Sequence, residues 1–313
     1  MDGAELAAAL ARIVDGEVVD LVRLSGGASR ETWSFDAICR SGERRALILQ
    51  RQRADVERDM AVEVAALRAA AAAGVPVPEV IAAGDGTDVG ASYVIVERVD
   101  GETIARKILR DAEYAGARTL LLAQLGGALA ALHRIDPAVV PGLVGTDQLA
   151  QYREVLDFSG QAHPAFELAF RWLEANRPPR SAPAVVHGDF RLGNVIVGPD
   201  GLRAVLDWEL VHLGDPMEDL GWLCVRAWRF GSRAPAAGLG GYAELFDAYA
   251  AAAGRPVDAD VVRWWEVLGT LKWGIMCVMQ AQAHLTGLTR SHELAAIGRR
   301  ACENEHDLLR LLR

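Results

Sequence analysis

Four polar residues in the second half of the chain lie close enough together to act on phosphate groups. His187, Asp189 and Asn194 belong to the segment His-Gly-Asp-Phe-Arg-Leu-Gly-Asn, and Asp207 follows thirteen residues after Asn194. A carboxylate such as that of Asp189 can orient a hydroxyl group and accept its proton, and Asn and Asp oxygens are suitable ligands for Mg²⁺. These residue types are the ones that phosphoryl transfer to a hydroxyl requires.

A predicted hairpin accounts for the spacing of these residues. Residues 194–197 and 202–206 have the apolar pattern of two short strands, and Gly-Pro-Asp-Gly at 198–201 is a turn signal. A tight hairpin returns the chain to its start, so Asn194 and Asp207 are expected to lie side by side. Each motif alone could be an ordinary turn or a helix cap, but the two together at this spacing favour a site.

The hydrophobic pattern divides the chain into two predicted lobes, which together define an α+β fold. Residues 1–99 form a small N-lobe with an antiparallel sheet and one helix at 56–73. Its predicted strands are 18–24, 31–38, 45–50 and 92–96. Residues 100–313 form a larger, mainly helical C-lobe that contains the hairpin. Its predicted helices are 117–133, 164–176, 241–253, 258–285 and 291–312.

Composition excludes several classes of partner. The chain of 313 residues is 51% hydrophobic and carries a net charge of −9, so neither nucleic acid nor an anionic membrane is expected as a partner. No stretch of about 18 uninterrupted apolar residues is present, and the N-terminus lacks a signal-peptide pattern. The four cysteines are scattered, as expected of reduced thiols. We therefore expect a cytoplasmic protein.

The motif text resembles a known enzyme family. VVHGDFRLGNVIV and AVLDWELVHLGDPMEDLGWL are similar to the aminoglycoside phosphotransferase or choline-kinase-like family of small-molecule kinases, and the resemblance covers nearly the whole chain. Within that family, the sequence most resembles the branch that includes kinase domains fused to acyl-CoA dehydrogenases. The resemblance implies a bilobal, protein-kinase-like fold and transfer of the γ-phosphoryl group of ATP, or GTP, to a hydroxyl of a small molecule with Mg²⁺ as cofactor.

The resemblance also implies roles for individual residues. Asp189 would be the catalytic base, and Asn194 and Asp207 would bind Mg²⁺. Glu209 is open to two interpretations, a further carboxylate near the metal or a surface or helix-capping residue. Three residues are expected to support the catalytic loop: His187, Asp215 and Asp219.

The N-lobe matches the family less closely. Its expected phosphate-covering loop contains Ser25, Gly26, Gly27 and Ser29. Glu63 is the expected helical carboxylate, which in this fold pairs with a cation on the third strand. That strand has no Lys; Gln50 and Arg51 stand there instead, and only one of these neighbours can face the phosphates. The backbone of Glu97 and Val99 is expected to bind the adenine edge.

The acceptor is less constrained than the reaction. The tryptophan-rich, Arg-containing C-terminal helices either line the acceptor pocket or only form the core; if they line the pocket, an apolar or anionic acceptor is favoured over an aminoglycoside-type antibiotic. The family resemblance offers a hydroxyacyl-CoA-like molecule as one candidate. A protein kinase is disfavoured because Gly-Asp-Pro-Met-Glu-Asp, and no Ala-Pro-Glu, follows Asp207. A catalytically weak or silent nucleotide-binding module is the alternative that Gln50 supports. A hydrolase is disfavoured because the chain has no nucleophile elbow.

Overall fold

An antiparallel five-stranded sheet forms the N-terminal lobe in the computed structural model, which describes residues 2–24, 30–53 and 60–313. The strands are β1 (Gly16–Leu24), β2 (Arg30–Cys39), β3 (Arg44–Gln52), β4 (Val80–Gly84) and β5 (Tyr93–Glu97). Their order in the sheet is β1-β2-β3-β5-β4. The four strands predicted from the sequence are all present, and β4 is an addition. Its sequence, Val-Ile-Ala-Ala-Gly, is too short and too rich in Ala to show a strand pattern.

Two helices cover opposite faces of this sheet. Helix α1 (Gly3–Ile13) packs on the face that carries Leu47 and Leu49, and helix α2 (Ala61–Ala72) packs on the face that carries Ile48. Side chains of adjacent residues in a strand point to opposite faces, so the two faces of β3 have different environments. The centre of the sheet is therefore covered on both sides, and its α2 face is the one next to the C-terminal lobe.

Nine helices among the described residues form the C-terminal lobe. They are α3 (Ala105–Arg110), α4 (Ala115–Leu132), α5 (Gln148–Ser159), α6 (Pro164–Ala175), α7 (Met217–Cys224), α8 (Tyr242–Ala253), α9 (Ala259–Leu285), α10 (His292–Gly298) and α11 (Ala301–Leu311). The long helix α9 is central, because α5, α6, α7, α10 and α11 all pack against it. Asp258 caps its N-terminus by accepting hydrogen bonds from two backbone N–H groups.

Two small antiparallel pairs are set into this helical lobe. Strand β6 (Ala184–Val186) leads into the catalytic loop, β7 (Val195–Gly198) and β8 (Gly201–Val205) form the predicted hairpin, and β9 (His212–Gly214) pairs back with β6. The loop at 187–194 therefore runs from β6 to β7, and the segment after β8 runs to β9. Because β6 pairs with β9 and β7 pairs with β8, both ends of the two segments lie close together.

The predicted helix at 291–312 is two helices. Helix α10 ends at Gly298, where an added Cβ would lie 2.4 Å from the Cβ of Ala281 on α9. The close approach of the two helices requires glycine, and the chain changes direction there before α11 begins. The predicted helix at 56–73 is described only from residue 60 onwards, and α2 begins at Ala61. The lobe boundary after residue 99 stays a prediction; it falls between the end of β5 and the start of α3.

One helix in the described part of the chain, Ala112–Leu132, is long and apolar enough by composition to cross a membrane. It contains α4, which packs against α8 and β8 inside the C-terminal lobe. Its residues Leu121, Leu125 and Leu129 are fully buried in the main hydrophobic core. Burial of this kind is the environment of a core helix.

Candidate active site

His187 begins the loop that follows β6 and is completely buried. The backbone N–H of Asp189 donates to its Nδ1 (3.2 Å), and its Nε2 lies 3.0 Å from the carbonyl oxygen of Leu206. These partners fit a neutral ring with the proton on Nε2. Burial lowers the pKa of His187. The imidazole therefore joins the loop to the end of β8, and both of its nitrogens are occupied by backbone groups.

Asp219 holds the start of the same loop from α7. Its Oδ2 accepts from the backbone N–H of His187 (2.9 Å) and lies 3.0 Å from His133 Nε2, and its Oδ1 accepts from the backbone N–H of Gly188 (3.0 Å). Burial alone would raise the pKa of Asp219, but the hydrogen bonds from His133 and from the loop backbone lower it. Gly188 has φ +79°, and a Cβ there would lie 2.6 Å from the carbonyl oxygen of Leu210, so only glycine fits.

Asp215 supports the loop less directly. Its Oδ1 accepts a hydrogen bond from the backbone N–H of Met217 (2.8 Å), the first residue of α7. Asp215 thus stabilises the N-terminal end of the helix that carries Asp219.

Three side chains donate hydrogen bonds to the carboxylate of Asp189, which is 15% exposed. Arg191 Nε (3.0 Å) and Trp222 Nε1 (2.7 Å) donate to Oδ1, and Asn194 Nδ2 (2.6 Å) donates to Oδ2. Arg191 in turn stacks on Trp228, with its guanidinium carbon 4.7 Å from the ring centroid. Three donors on two oxygens fix the direction of the carboxylate.

Arg191 and Trp222 were not among the residues singled out from the sequence. Arg191 lies within the loop, so its position next to Asp189 was a usable signal. Trp222 lies on α7, and its proximity to Asp189 depends on how that helix packs, which no local pattern reveals.

The hairpin brings Asn194 and Asp207 together as its register predicts. Val195 pairs with Val205, and the N–H of Leu206 donates to the carbonyl oxygen of Asn194 (2.8 Å). The Asn194 amide nitrogen is used by Asp189, which leaves its amide oxygen as the ligand that it can offer. Asp207 has a left-handed backbone with φ +63°, which turns the chain sharply after β8.

The donor set around Asp207 fits Mg²⁺. Burial, together with the charges of Glu209 and Asp189, raises the pKa of Asp207 to about 6. A divalent cation relieves this crowding of negative charge. The described residues contain no cluster of three or more His, Cys, Asp or Glu side chains with metal-binding geometry. Asn194 and Asp207 would therefore supply two oxygens, and phosphate and water oxygens the rest, which is how Mg²⁺ is commonly held.

On the N-lobe side, Glu63 pairs with Arg30 at the start of β2 and not with a residue of the third strand. Two bonds of 2.6 Å join the guanidinium to the carboxylate, and both side chains are 7% exposed. Gln50 stands opposite Val94 on β5, whose side chain packs in the cluster against α2, so Gln50 points to the face that bears Glu63. Arg51 points to the other face.

Arg51 is engaged on that other face of the sheet. Its Nη2 donates to the carboxylate of Glu31 (2.5 Å), and its Nη1 donates to the carbonyl oxygen of Val89 (2.9 Å). The alternation predicted that only one of Gln50 and Arg51 could face the cleft, and the structure turns Gln50 towards it.

The remaining predicted nucleotide contacts divide into two groups. The predicted phosphate-covering residues Ser25, Gly26, Gly27 and Ser29 lie outside the described residues. The other group is the backbone of Glu97, the last residue of β5, and of Val99. The Glu97 N–H donates to the carbonyl oxygen of Glu79 (2.9 Å), so an adenine contact at Glu97 would use its carbonyl oxygen.

A cavity of about 980 Å³ opens beside the catalytic loop. Gly193 of the loop and Trp228 line it, and the Trp228 ring also packs against Trp222, with ring centroids 5.2 Å apart. The cavity is therefore next to the site, because Trp228 in its wall packs on Trp222, which donates to Asp189. Its charged lining residues are Arg106, Arg226, Arg300, Glu303 and Asp307.

The lobes, the loop and the hairpin together define a small-molecule kinase with a protein-kinase-like fold. Residues 20–265 match the model of the phosphotransferase enzyme family, and the chain belongs to that family.

Known relatives and structures agree with this assignment. Acyl-CoA dehydrogenase family member 11 from Gallus gallus is 36% identical over 166 residues, which cover 48% of this chain and 21% of that protein. A Ralstonia eutropha protein described as a candidate aminoglycoside phosphotransferase has the same fold, with a TM-score of 0.78, 22% identity and coverage of 99% of this chain and 98% of that one. Spectinomycin phosphotransferase in complex with ADP and spectinomycin gives a TM-score of 0.70 at 12% identity, covering 99% and 98%.

Proposed function

We propose that this chain transfers the γ-phosphoryl group of ATP, or GTP, to a hydroxyl of a small molecule in a Mg²⁺-dependent reaction. The observation that carries the proposal is the Asp189 carboxylate, held by three donors, beside the pair Asn194 and Asp207. The kinase-like architecture supports the same reaction.

Asp189 acts on the acceptor hydroxyl. One of its oxygens accepts the hydroxyl hydrogen bond and takes the proton as the hydroxyl oxygen bonds to the γ-phosphorus. The bond from that phosphorus to the β–γ bridging oxygen breaks, and the nucleoside diphosphate leaves. When bound by Asn194 and Asp207, Mg²⁺ supplies positive charge that neutralises the phosphate oxygens. Arg191 and Trp222 keep the carboxylate directed throughout.

Binding and turnover test this proposal separately. We expect calorimetry to detect binding of the ATP analogue AMP-PNP in the presence of Mg²⁺, and removal of the metal with EDTA to weaken that binding at least about tenfold, because the phosphate charge is then uncompensated. ATP consumption is then measured across a panel of hydroxylated metabolites. Absence of nucleotide binding contradicts the proposal, and binding without turnover of any acceptor supports the silent-module alternative.

The cavity beside the loop favours an anionic acceptor with an apolar part. Arg226 pairs with Asp307 (3.3 Å) and Arg300 with Glu303 (3.1 Å), while Arg106 has no ion pair within the described part of the chain. The charged side chains thus leave one net positive charge in a cavity that the indole of Trp228 also lines. The likeness to proteins named acyl-CoA dehydrogenases supports a hydroxyacyl-CoA-like acceptor, and a polycationic aminoglycoside fits this charge less well.

Two substitutions of opposite charge decide between these acceptor classes. For an anionic acceptor, we expect Arg106→Gln to raise KM about 5- to 20-fold and Asp307→Asn to lower it, since each change acts on the acceptor through its charge. For an aminoglycoside the two changes have the reverse signs. Initial rates at saturating Mg·ATP give both KM values, and kcat should change little in either variant. Equal effects of the two substitutions would contradict an electrostatic role.

A further inference from the structure

Arg30 is buried where the N-terminal lobe meets the metal-binding segment. It pairs bidentately with Glu63 of α2, and its Nη2 lies 3.5 Å from Glu209, two residues after Asp207. Its Nε is also buried and has no hydrogen-bond partner among the described residues. One guanidinium thus connects helix α2 to the segment that carries a predicted metal ligand.

Arg30 also stands where the third strand offers no charge. It is opposite Gln52, and the neighbouring pair on the same face is Thr32 and Gln50, so its nearest neighbours across and along the sheet are uncharged. Arg51, which could have supplied a cation, is paired with Glu31 on the other face. A buried arginine at the cleft end of β2 thus provides the charge that β3 lacks there.

The surroundings of Arg30 hold more negative charge than this one cation balances. Glu63, Glu209 and Asp207 all interact electrostatically with its guanidinium. The bidentate pair with Glu63 uses one N–H of each terminal nitrogen, and a guanidinium has five N–H groups. N–H groups therefore remain for another oxygen ligand, and the fork geometry of arginine matches phosphate.

We propose that Arg30 binds the phosphates of the nucleotide donor and that Glu63 holds its guanidinium in place for this contact. The inference rests on the proposed function, because it assigns a donor-binding residue to the same site. Arg30 thus takes the role of the cation that was expected on β3, but it lies on β2. A purely structural role, in which Arg30 only neutralises buried Glu63, predicts different behaviour when both charges are removed.

The test compares Arg30→Gln with the double variant Arg30→Gln/Glu63→Gln. The single change leaves Glu63 buried without its cation and is expected to lower Tm, whereas the double change removes both charges and should recover most of that loss. The affinity for Mg·AMP-PNP should remain about 10- to 100-fold weaker in the double variant, since a hydrogen-bonded phosphate contact is gone. Arg30→Lys, which keeps the charge, should restore part of the affinity.

Calorimetry and thermal unfolding provide the measurements, with Arg45→Gln as the matched control. Arg45 forms an ion pair with Glu79 (3.2 Å) on the same sheet, at the end away from Arg30, so its loss should leave the affinity for nucleotide unchanged. A double variant that is stable and binds Mg·AMP-PNP with wild-type affinity would overturn the inference. So would a larger loss of affinity in Arg51→Gln than in the Arg30 variants.

The wild-type protein separates this inference from the proposed function. If wild type binds no nucleotide, both fail. If it binds Mg·AMP-PNP and consumes ATP with an acceptor while the double variant is unimpaired, only the assignment of Arg30 fails. Adenosine gives a further check, because it has no phosphate and its affinity should be the same in wild type and the double variant.

Discussion

Replacing Asp189 by Asn is expected to lower kcat for phosphoryl transfer by about 10²- to 10⁴-fold, because the amide cannot take the proton of the acceptor hydroxyl. The substitution nearly preserves the shape of the side chain, so Arg191, Trp222 and Asn194 keep an oxygen to which some of them can donate. The affinity for Mg·AMP-PNP should change by no more than a few-fold, since Asp189 acts on the acceptor side.

Measurement of kcat and nucleotide affinity in the same preparation makes this prediction specific. Asp200→Asn is a suitable control: Asp200 lies in the turn of the same hairpin, is exposed, and pairs only with Arg203 among the contacts described. It should retain wild-type kcat. An Asp189→Asn protein that folds, binds nucleotide and keeps more than about a tenth of the wild-type kcat would remove Asp189 from its role as base.

The part of the site that sequence could predict is the part that is local in the chain. The loop at 187–194 and its return through the hairpin depend on turn residues and strand alternation, and the observed register brings Asn194 beside the segment that carries Asp207. Asp219 was also identified, because the resemblance extends through the segment that contains it.

The residues that escaped prediction reach the site through tertiary packing. The sequence gives no reason to separate Trp222 from the tryptophans of the core. Its indole N–H donates to Asp189 only because α7 packs against the catalytic loop. Arg30 occupies a strand position from which no periodicity predicts a partner 33 residues away on α2. The cation that pairs with Glu63 was expected on β3 because the kinase-like fold places it there, and the pattern of residue types does not show that Arg30 of β2 takes this role instead.

The same packing makes Asp219 the most sensitive supporting residue. Its side chain is fully buried, and the imidazole of His133 and the N–H groups of His187 and Gly188 all depend on it. Asp219→Ala leaves these groups without their acceptor in a site that water does not reach. We expect a loss of about 3–5 kcal/mol in the free energy of unfolding. In a chain of this size, that corresponds to a decrease in Tm of roughly 5–8 °C.

The acid dependence of this loss follows from the lowered pKa of Asp219. A carboxyl whose pKa is lower in the folded than in the unfolded protein contributes stability above the unfolded value of about 4, and that contribution is lost as the pH falls through the folded value. The difference in Tm between wild type and Asp219→Ala should therefore be full at neutral pH and should narrow below about pH 4. A difference that stayed constant to lower pH would contradict an ionised Asp219 as the anchor.

Asp215→Ala separates anchoring of the loop from stabilisation of the helix. Asp215 lies just before the same helix, and within the described part of the chain its side chain accepts a hydrogen bond only from the N–H of Met217, so its loss should cost about 1 kcal/mol and leave kcat within a few-fold of wild type. Asp219→Ala should lower kcat by about 10²-fold or more even at temperatures where the variant is folded, because a displaced loop moves Asp189 relative to the acceptor. Asp219 binds the backbone N–H groups of both His187 and Gly188. The Asp219→Ala substitution should therefore lower stability and kcat together, whereas Asp215→Ala should lower stability slightly and leave kcat nearly unchanged.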